Sequence, residues 1–243
     1  LAGKACARIS AGIVALLGLC EAGQAGSQRM FAYPLETPGY YCEAKAINAS
    51  GQIAGSFHPD PRYSYTHAFI TGPLGKNVID LGTLPGHITS QAKSVNDRGQ
   101  VVGYSATSSY EVWRPFIVDA GSSTLRDLGT APGSIFGVAE AINASGQVAG
   151  WFREVDALVY HSYLTGPDGV GVTLLGTLSG ERTMAYGVNN LGQVVGEAET
   201  ASGVQRAFLT GPNGVGITQL VTGPGDTATA RVITDDAVVA GSS

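Results

Sequence analysis

Charge is the first thing this sequence has little of. Only 14% of its 243 residues are Asp, Glu, Lys or Arg, against about a quarter in an ordinary globular chain. The net charge of −5 argues against nucleic acid or an anionic membrane as partner, because both select basic surfaces. Cysteine is also scarce, at three. The four histidines are His58, His67, His87 and His161. No G-x-S-x-G, H-E-x-x-H, phosphate loop or paired-cysteine motif occurs. The chain is therefore expected to hold no catalytic set, no metal and no cofactor, and to be no enzyme. Long helix-period stretches are missing too, while the 35 glycines are about twice the usual share. That combination predicts many short strands joined by tight turns.

Long apolar runs are absent except one. Lys4 and Arg8 precede "AGIVALLGL" at Ala11 to Leu19, which is followed by "EAGQAGS". The run is too short to span a bilayer. Its flanks are those of a cleavable secretory signal peptide over residues 1–25, with Gly23 and Ala25 at the small cleavage positions. A lipoprotein signal ending at Cys20 is the competing reading, and Leu19 is bulky for it. Removing the leader takes Cys6, Cys20, Lys4, Arg8 and Glu21, leaving 12 basic and 18 acidic residues, a net of −6. Cys42 then stands alone, so no internal disulfide can form. It is expected to be a small buried apolar residue. The mature chain is expected to have no membrane span and to be a secreted, extracellular bacterial protein and a monomer.

What is abundant is repetition. "AINASGQIAG" at Ala46 returns as "SVNDRGQVVG" at Ser94, "AINASGQVAG" at Ala141 and "GVNNLGQVVG" at Gly187, with a degraded copy, "VITDDAVVAG", at Val232. Asn48, Asn96, Asn143, Asn189 and Thr234 are spaced by 48, 47, 46 and 45 residues. A second motif reads "HAFITGP" at His67, "RPFIVDA" at Arg114, "HSYLTGP" at His161 and "RAFLTGP" at Arg206. A third reads "DLGTLPG" at Asp80, "DLGTAPG" at Asp127, "LLGTLSG" at Leu174 and "QLVTGPG" at Gln219. A period near 47 with four short strands predicts an all-β protein, a β-propeller of about five four-stranded blades over residues 26–243. The repeats run over about 46–93, 94–140, 141–186 and 187–229. A partial repeat at 230–243 would share its blade with residues 30–37, since Phe31 to Glu36 align with a fourth strand. Closure of that kind removes two open edges.

Each repeated residue has a structural role available. Gly51, Gly99, Gly146 and Gly192 suit a left-handed turn position, and the Asn side chains suit Asx turns better than a calcium loop, whose carboxylate spacing is missing. In a symmetric hairpin of the third and fourth strands, His67 would face Asp80, Arg114 would face Asp127, Arg206 would face Gln219 and His161 would face Leu174. Such pairs are ordinary sheet stabilisers. The aromatics Phe69, Phe116, Tyr163 and Phe208 are expected to pack between blades.

The loops between second and third strands differ from repeat to repeat. They put His58, Asp60, Arg62, Tyr63 and Tyr65 on one rim, with Tyr110, Glu111 and Trp113, and with Trp151, Arg153, Glu154 and Asp156. His161 joins them as the cation least explained by its facing residue. Aromatics mixed with acids suit sugar or peptide, so an extracellular glycan or a cell-surface protein is the expected partner. Asp60 and Glu154 are the carboxylates a polysaccharide hydrolase or lyase, the alternative reading, would use.

The three motifs together resemble the HAF-repeat family of extracellular bacterial repeat proteins, named for the His-Ala-Phe found here at His67 to Phe69. The resemblance covers roughly residues 31–241. It implies secretion and repeat architecture, a binding or structural module of the cell exterior or biofilm matrix, and no activity. Members often carry a Pro-Glu-Pro sorting tail, which residues 1–243 do not contain.

Overall fold

The computed structural model describes residues 15–17, 31–33, 39–108, 111–131, 134–155, 158–220 and 227–243. Apart from the strand at 15–17, the leader lies outside them, as do Tyr110 and Asp156. The architecture is all-β. Unit 1 is the antiparallel meander β3 (Tyr40–Ile47), β4 (Ile53–His58), β5 (His67–Ile70) and β6 (Ile79–Gly82). Unit 2 is β7 (Thr89–Val95), β8 (Val101–Ala106), β9 (Trp113–Val118) and β10 (Leu125–Asp127). Unit 3 is β11 (Ser134–Ile142), β12 (Val148–Glu154), β13 (Tyr160–Thr165) and β14 (Val172–Leu174). Unit 4 is β15 (Ser179–Val188), β16 (Val194–Thr200), β17 (Gln205–Leu209) and β18 (Thr218–Gln219). Unit 5 is the hairpin of β19 (Thr229–Ile233) and β20 (Val239–Ser242). Single parallel bridges, Phe136 with Trp113 and Tyr160 with Arg182, link units 2, 3 and 4.

The core is a series of seams between consecutive units. Ala54, Ile70, Val101 and Phe116 fill the first; Val102, Ile117, Val148 and Phe152 the second; Leu164, Ala185, Val194 and Phe208 the third; and Val195, Ala230 and Ile233 the fourth. Second strands lie in the middle of their units and are covered on both faces. That is why β8 is buried throughout and reads as the near-continuous apolar run "VVGYSA". The first strand of unit 1, by contrast, alternates between exposed and half-buried.

Two motifs of the sequence meet across one strand pair. The last glycine of the first motif lies directly opposite the aromatic of the second: Gly55 with Phe69, Gly103 with Phe116, Gly150 with Tyr163 and Gly196 with Phe208. The ring occupies the space a side chain would need. A Cβ on Gly150 would sit 2.1 Å from the Val138 carbonyl oxygen and 2.7 Å from the Tyr163 hydroxyl. On the far side of that glycine the first strand carries a register shift in every unit, at Ala44/Ala46, Ala92/Ser94, Ala139/Ala141, Ala185/Gly187 and Ala230/Val232. A bulge bends and twists the strand locally.

The turn assignment holds. Gly51, Gly99, Gly146 and Gly192 have φ of 73°, 81°, 83° and 71°. The asparagines do more than close their turns. Asn143 Oδ1 accepts from the backbone N–H groups of Ser145 (3.1 Å) and Gln147 (2.9 Å). Its Nδ2 donates to the Asn189 carbonyl of the next unit at 3.0 Å. Asn48 reaches the Asn96 carbonyl (2.9 Å), Asn96 that of Asn143 (3.0 Å) and Asn189 that of Thr234 (3.1 Å). The repeated Asn thus ties each unit to its successor.

Two pairings differ from the expected ones. Phe31–Tyr33 (β2) pairs antiparallel with Ala15–Leu17 (β1), not with the C-terminal hairpin. An exposed strand edge takes whichever extended segment is available, and Ala15–Leu17 is apolar and uncharged. The hairpins of third and fourth strands are also offset from the symmetric count, with Phe69 opposite Asp80, Phe116 opposite Asp127, Tyr163 opposite Leu174 and Phe208 opposite Gln219. An offset of two residues keeps every side chain on its expected face.

Candidate functional site

Because that offset preserves the face, His67 Nδ1 still reaches the Asp80 carboxylate at 3.0 Å. Burial opposes ionisation of Asp80. The hydrogen bonds from His67 and from the Gly82 N–H prevail and hold its carboxyl below the usual range. Arg114 is different: it donates to Thr130 Oγ1 at 2.8 Å. His161 has its partner on the neighbouring strand, with Nε2 2.8 Å from Glu154 Oε1.

The rim residues fall into two groups. Those of unit 1 form one exposed patch. Arg62 pairs with Asp60 and lies 5.6 Å from the Tyr63 ring. Tyr63 stacks on Tyr65 at 5.3 Å, and Tyr65 lies 6.0 Å from the His67 ring. Tyr41 meets His58 edge-on at 5.7 Å and holds a left-handed φ of 45°, which is costly for an aromatic residue. Cys42 is half-buried behind this patch, against Ile53, Phe57 and Phe69.

In units 2 and 3, Trp113 and Tyr160 bridge to the next unit, while Trp151 backs Tyr160 within unit 3. Trp113 stacks on Tyr104 at 4.6 Å and meets Phe136 of the next unit edge-on at 5.8 Å. Trp151 lies 5.7 Å from Tyr160 and donates from Nε1 to Glu140 at 3.1 Å. Tyr160 in turn carries the Arg182 guanidinium of unit 4 at 4.7 Å. Glu154 is engaged by His161 and Asp60 by Arg62, so each of the two expected carboxylates is bound within its own unit.

The wedge position changes chemistry along the chain. In unit 1 it holds Ser56 and Thr66, and small hydroxyls close the seam: Thr66 Oγ1 bonds Thr89 Oγ1 at 2.9 Å and the Ser90 carbonyl at 3.1 Å. Units 2 and 3 use Tyr104 with Trp113 and Trp151 with Tyr160. In unit 4 the same positions are Glu197 and Gln205, and a cleft of about 110 Å³ opens there, lined by Arg182, Glu197, Ala198, Glu199, Gly203 and Gln205. Glu197 is held in place by the Thr229 hydroxyl at 2.7 Å, near the Tyr186 hydroxyl, whose pKa is pushed up by burial and by the nearby carboxylates. Tyr186 lies under the Arg231 guanidinium at 4.0 Å. Motif reading misses this cleft, because its residues are where the repeats differ. Position-by-position comparison of Tyr104, Trp151 and Glu197 would have found it.

The chain resembles TolB structures. Putative TolB from Agrobacterium tumefaciens superposes with a TM-score of 0.56 at 14% identity, over 81% of this chain and 71% of that one. TolB from Acinetobacter baumannii gives 0.54 at 12% identity, over 81% of this chain and 46% of that one, so the chain spans about half its length. These are β-propellers, and at such identity the likeness concerns the fold alone. No protein-family model matches the chain, and no curated protein does. Among the described residues, no group of three or more His, Cys, Asp or Glu is placed to hold a metal ion, and no helix is long and apolar enough to cross a membrane.

Proposed function

We propose that this chain is a secreted β-propeller of the HAF-repeat kind. It acts as a monomeric binding or structural module of the bacterial cell exterior or biofilm matrix. Its five blades are units 1 to 5, the last completed by residues 30–37 once the leader is removed. One observation carries the binding reading. The residues that recur in units 1 to 4, the asparagines, glycines and buried aromatics, are absorbed in hydrogen bonds and packing of the scaffold. The positions that change from unit to unit gather aromatic, acidic and basic groups at half-exposed places. A scaffold that repeats its frame and varies its surface is built to present contacts, and this surface suits an extracellular glycan or a cell-surface protein.

The test is binding of the purified, leader-free protein to intact cells and to matrix polysaccharide from the producing bacterium, read by pull-down. Retention on either supports the reading, and loss of retention after Tyr63→Ala with Tyr65→Ala would place it on the unit 1 patch. Failure to be retained on both overturns it. Release of reducing sugar that disappears with Asp60→Asn or Glu154→Gln would replace it with a polysaccharide-cleaving enzyme.

A further inference from the structure

We infer that the cleft of unit 4 is a subsite for a hydroxyl-rich glycan, with Glu199, Gln205 and Arg182 as its contacts and Glu197 as a positioning residue. The inference rests on the exterior-binding reading and adds the place and chemistry of contact.

Three observations converge. First, the cleft exists because of a substitution at a position that the other units fill. Where units 2 and 3 insert paired aromatics and unit 1 seals itself with hydroxyls, unit 4 has Glu197 and Gln205. Replacing apolar wedges with acid and amide surrenders packing at a seam. Second, the groups are pre-aligned. Glu197 and Glu199 are two apart on β16 and so share one face, roughly 7 Å apart along the strand. Gln205 lies directly across from Glu199. The Arg182 guanidinium lies over the Tyr160 ring, and Glu197 is fixed by the Thr229 hydroxyl. Third, the chemistry is that of polyol recognition. Carboxylate oxygens accept from vicinal hydroxyls, guanidinium and amide N–H groups donate to them, and the Gln205 amide does both. A volume of about 110 Å³ admits one edge of a sugar ring and cannot enclose it. Single-site affinity is therefore weak, and retention on a polymer comes from many sugars presented together.

The experiment is an NMR titration of the ¹⁵N-labelled leader-free protein with four tetrasaccharides: cellotetraose, mannotetraose, chitotetraose and a hyaluronan tetrasaccharide. At least one should shift the amides of residues 180–184 and 197–206. Glu199→Gln should weaken that binding tenfold or more. Gln205→Tyr, which installs in unit 4 the filler of unit 3, should abolish it while leaving the melting temperature unchanged or higher. Val170→Ala, an exposed change in unit 3 outside the cleft, should leave it intact. Binding that survives Gln205→Tyr, or shifts confined to unit 1, overturns the cleft and leaves the exterior-binding reading standing. No shift with any of the four sugars also overturns the cleft, and retention on cells then tests that reading separately. Cleavage of a tetrasaccharide lost on Glu199→Gln overturns binding in favour of hydrolysis.

Discussion

Ala237 occupies the turn position that glycine holds in the four good repeats, and it keeps the same left-handed backbone, with φ of 59°. An L-residue there pays roughly 1 kcal/mol that glycine does not, partly offset by the entropy glycine loses on folding. Ala237→Gly is expected to stabilise the protein by about 0.5 kcal/mol, seen as a small rise in urea midpoint without change in slope. A second prediction at this scale concerns Asp60. The hydrogen bond from the Arg62 side chain, with that from the Arg62 backbone N–H, lowers its carboxyl to about 2. A depressed carboxylate supports the folded state above its unfolded value and loses that support as the pH falls through about 2. The pair is exposed, so the effect on stability is small. Carboxyl NMR should give a midpoint for Asp60 near 2, moving up towards the ordinary aspartate value in Arg62→Gln. An unchanged midpoint would mean that the ion pair does not form in solution.

Between units the decisive element is the asparagine turn. Each buried Asn satisfies two backbone donors of its own turn and one carbonyl of the next unit. Asn143→Ala removes these together and leaves buried groups unpaired, at about 1 kcal/mol for each, so a loss of about 3 kcal/mol is expected. Asn143→Thr copies unit 5, where Thr234 Oγ1 still accepts from the Val238 N–H at 3.1 Å, and, keeping one of those bonds, should lose about 2 kcal/mol. Equal losses for the two variants would show that the turn bond kept by threonine contributes nothing, and that the loss comes from the inter-unit bond. The turns and the paired motifs were legible in the sequence, because a glycine that must be left-handed and an aromatic that must cover a glycine each leave a residue type at a fixed spacing. The inter-unit hydrogen bond left no separate signal, since the same Asn serves both tasks. Nor did the bulge, since an extra residue in a strand is invisible until its partner is known.

For the whole molecule the open question is closure. The outer faces of unit 1 and unit 5 expose Tyr41 and Ile47 at one end and Val232 and Val238 at the other. With β1 in place, β2 is engaged away from unit 5. On the proposed reading, cleavage of residues 1–25 frees β2, and a two-stranded sheet is marginal in water without a further strand. In the leader-free protein, deleting residues 26–37 should therefore lower hydrogen-exchange protection across residues 231–242 as well as in unit 1. Loss confined to residues 44–57, with 231–242 unchanged, would mean that the units form an open array and that the closing blade is wrong.

What the amino-acid order determined by itself was whatever depends on local backbone demands repeated at a fixed interval: the all-β class, the four-stranded unit, its turns and the run of units. Those demands act within a few residues or within one hairpin, so each repeat states them again. The tertiary structure alone decided which side chains meet across a seam. Trp113 and Trp151 read as rim aromatics in the sequence; in the fold Trp113 packs on Phe136 of the next unit, and Trp151 is bonded to Glu140 of its own unit. Glu197 and Gln205 attracted no notice in the sequence and open a cleft. The reason is physical: whether a side chain fills a space or lines one depends on what the next unit puts opposite it, more than twenty residues away along the chain.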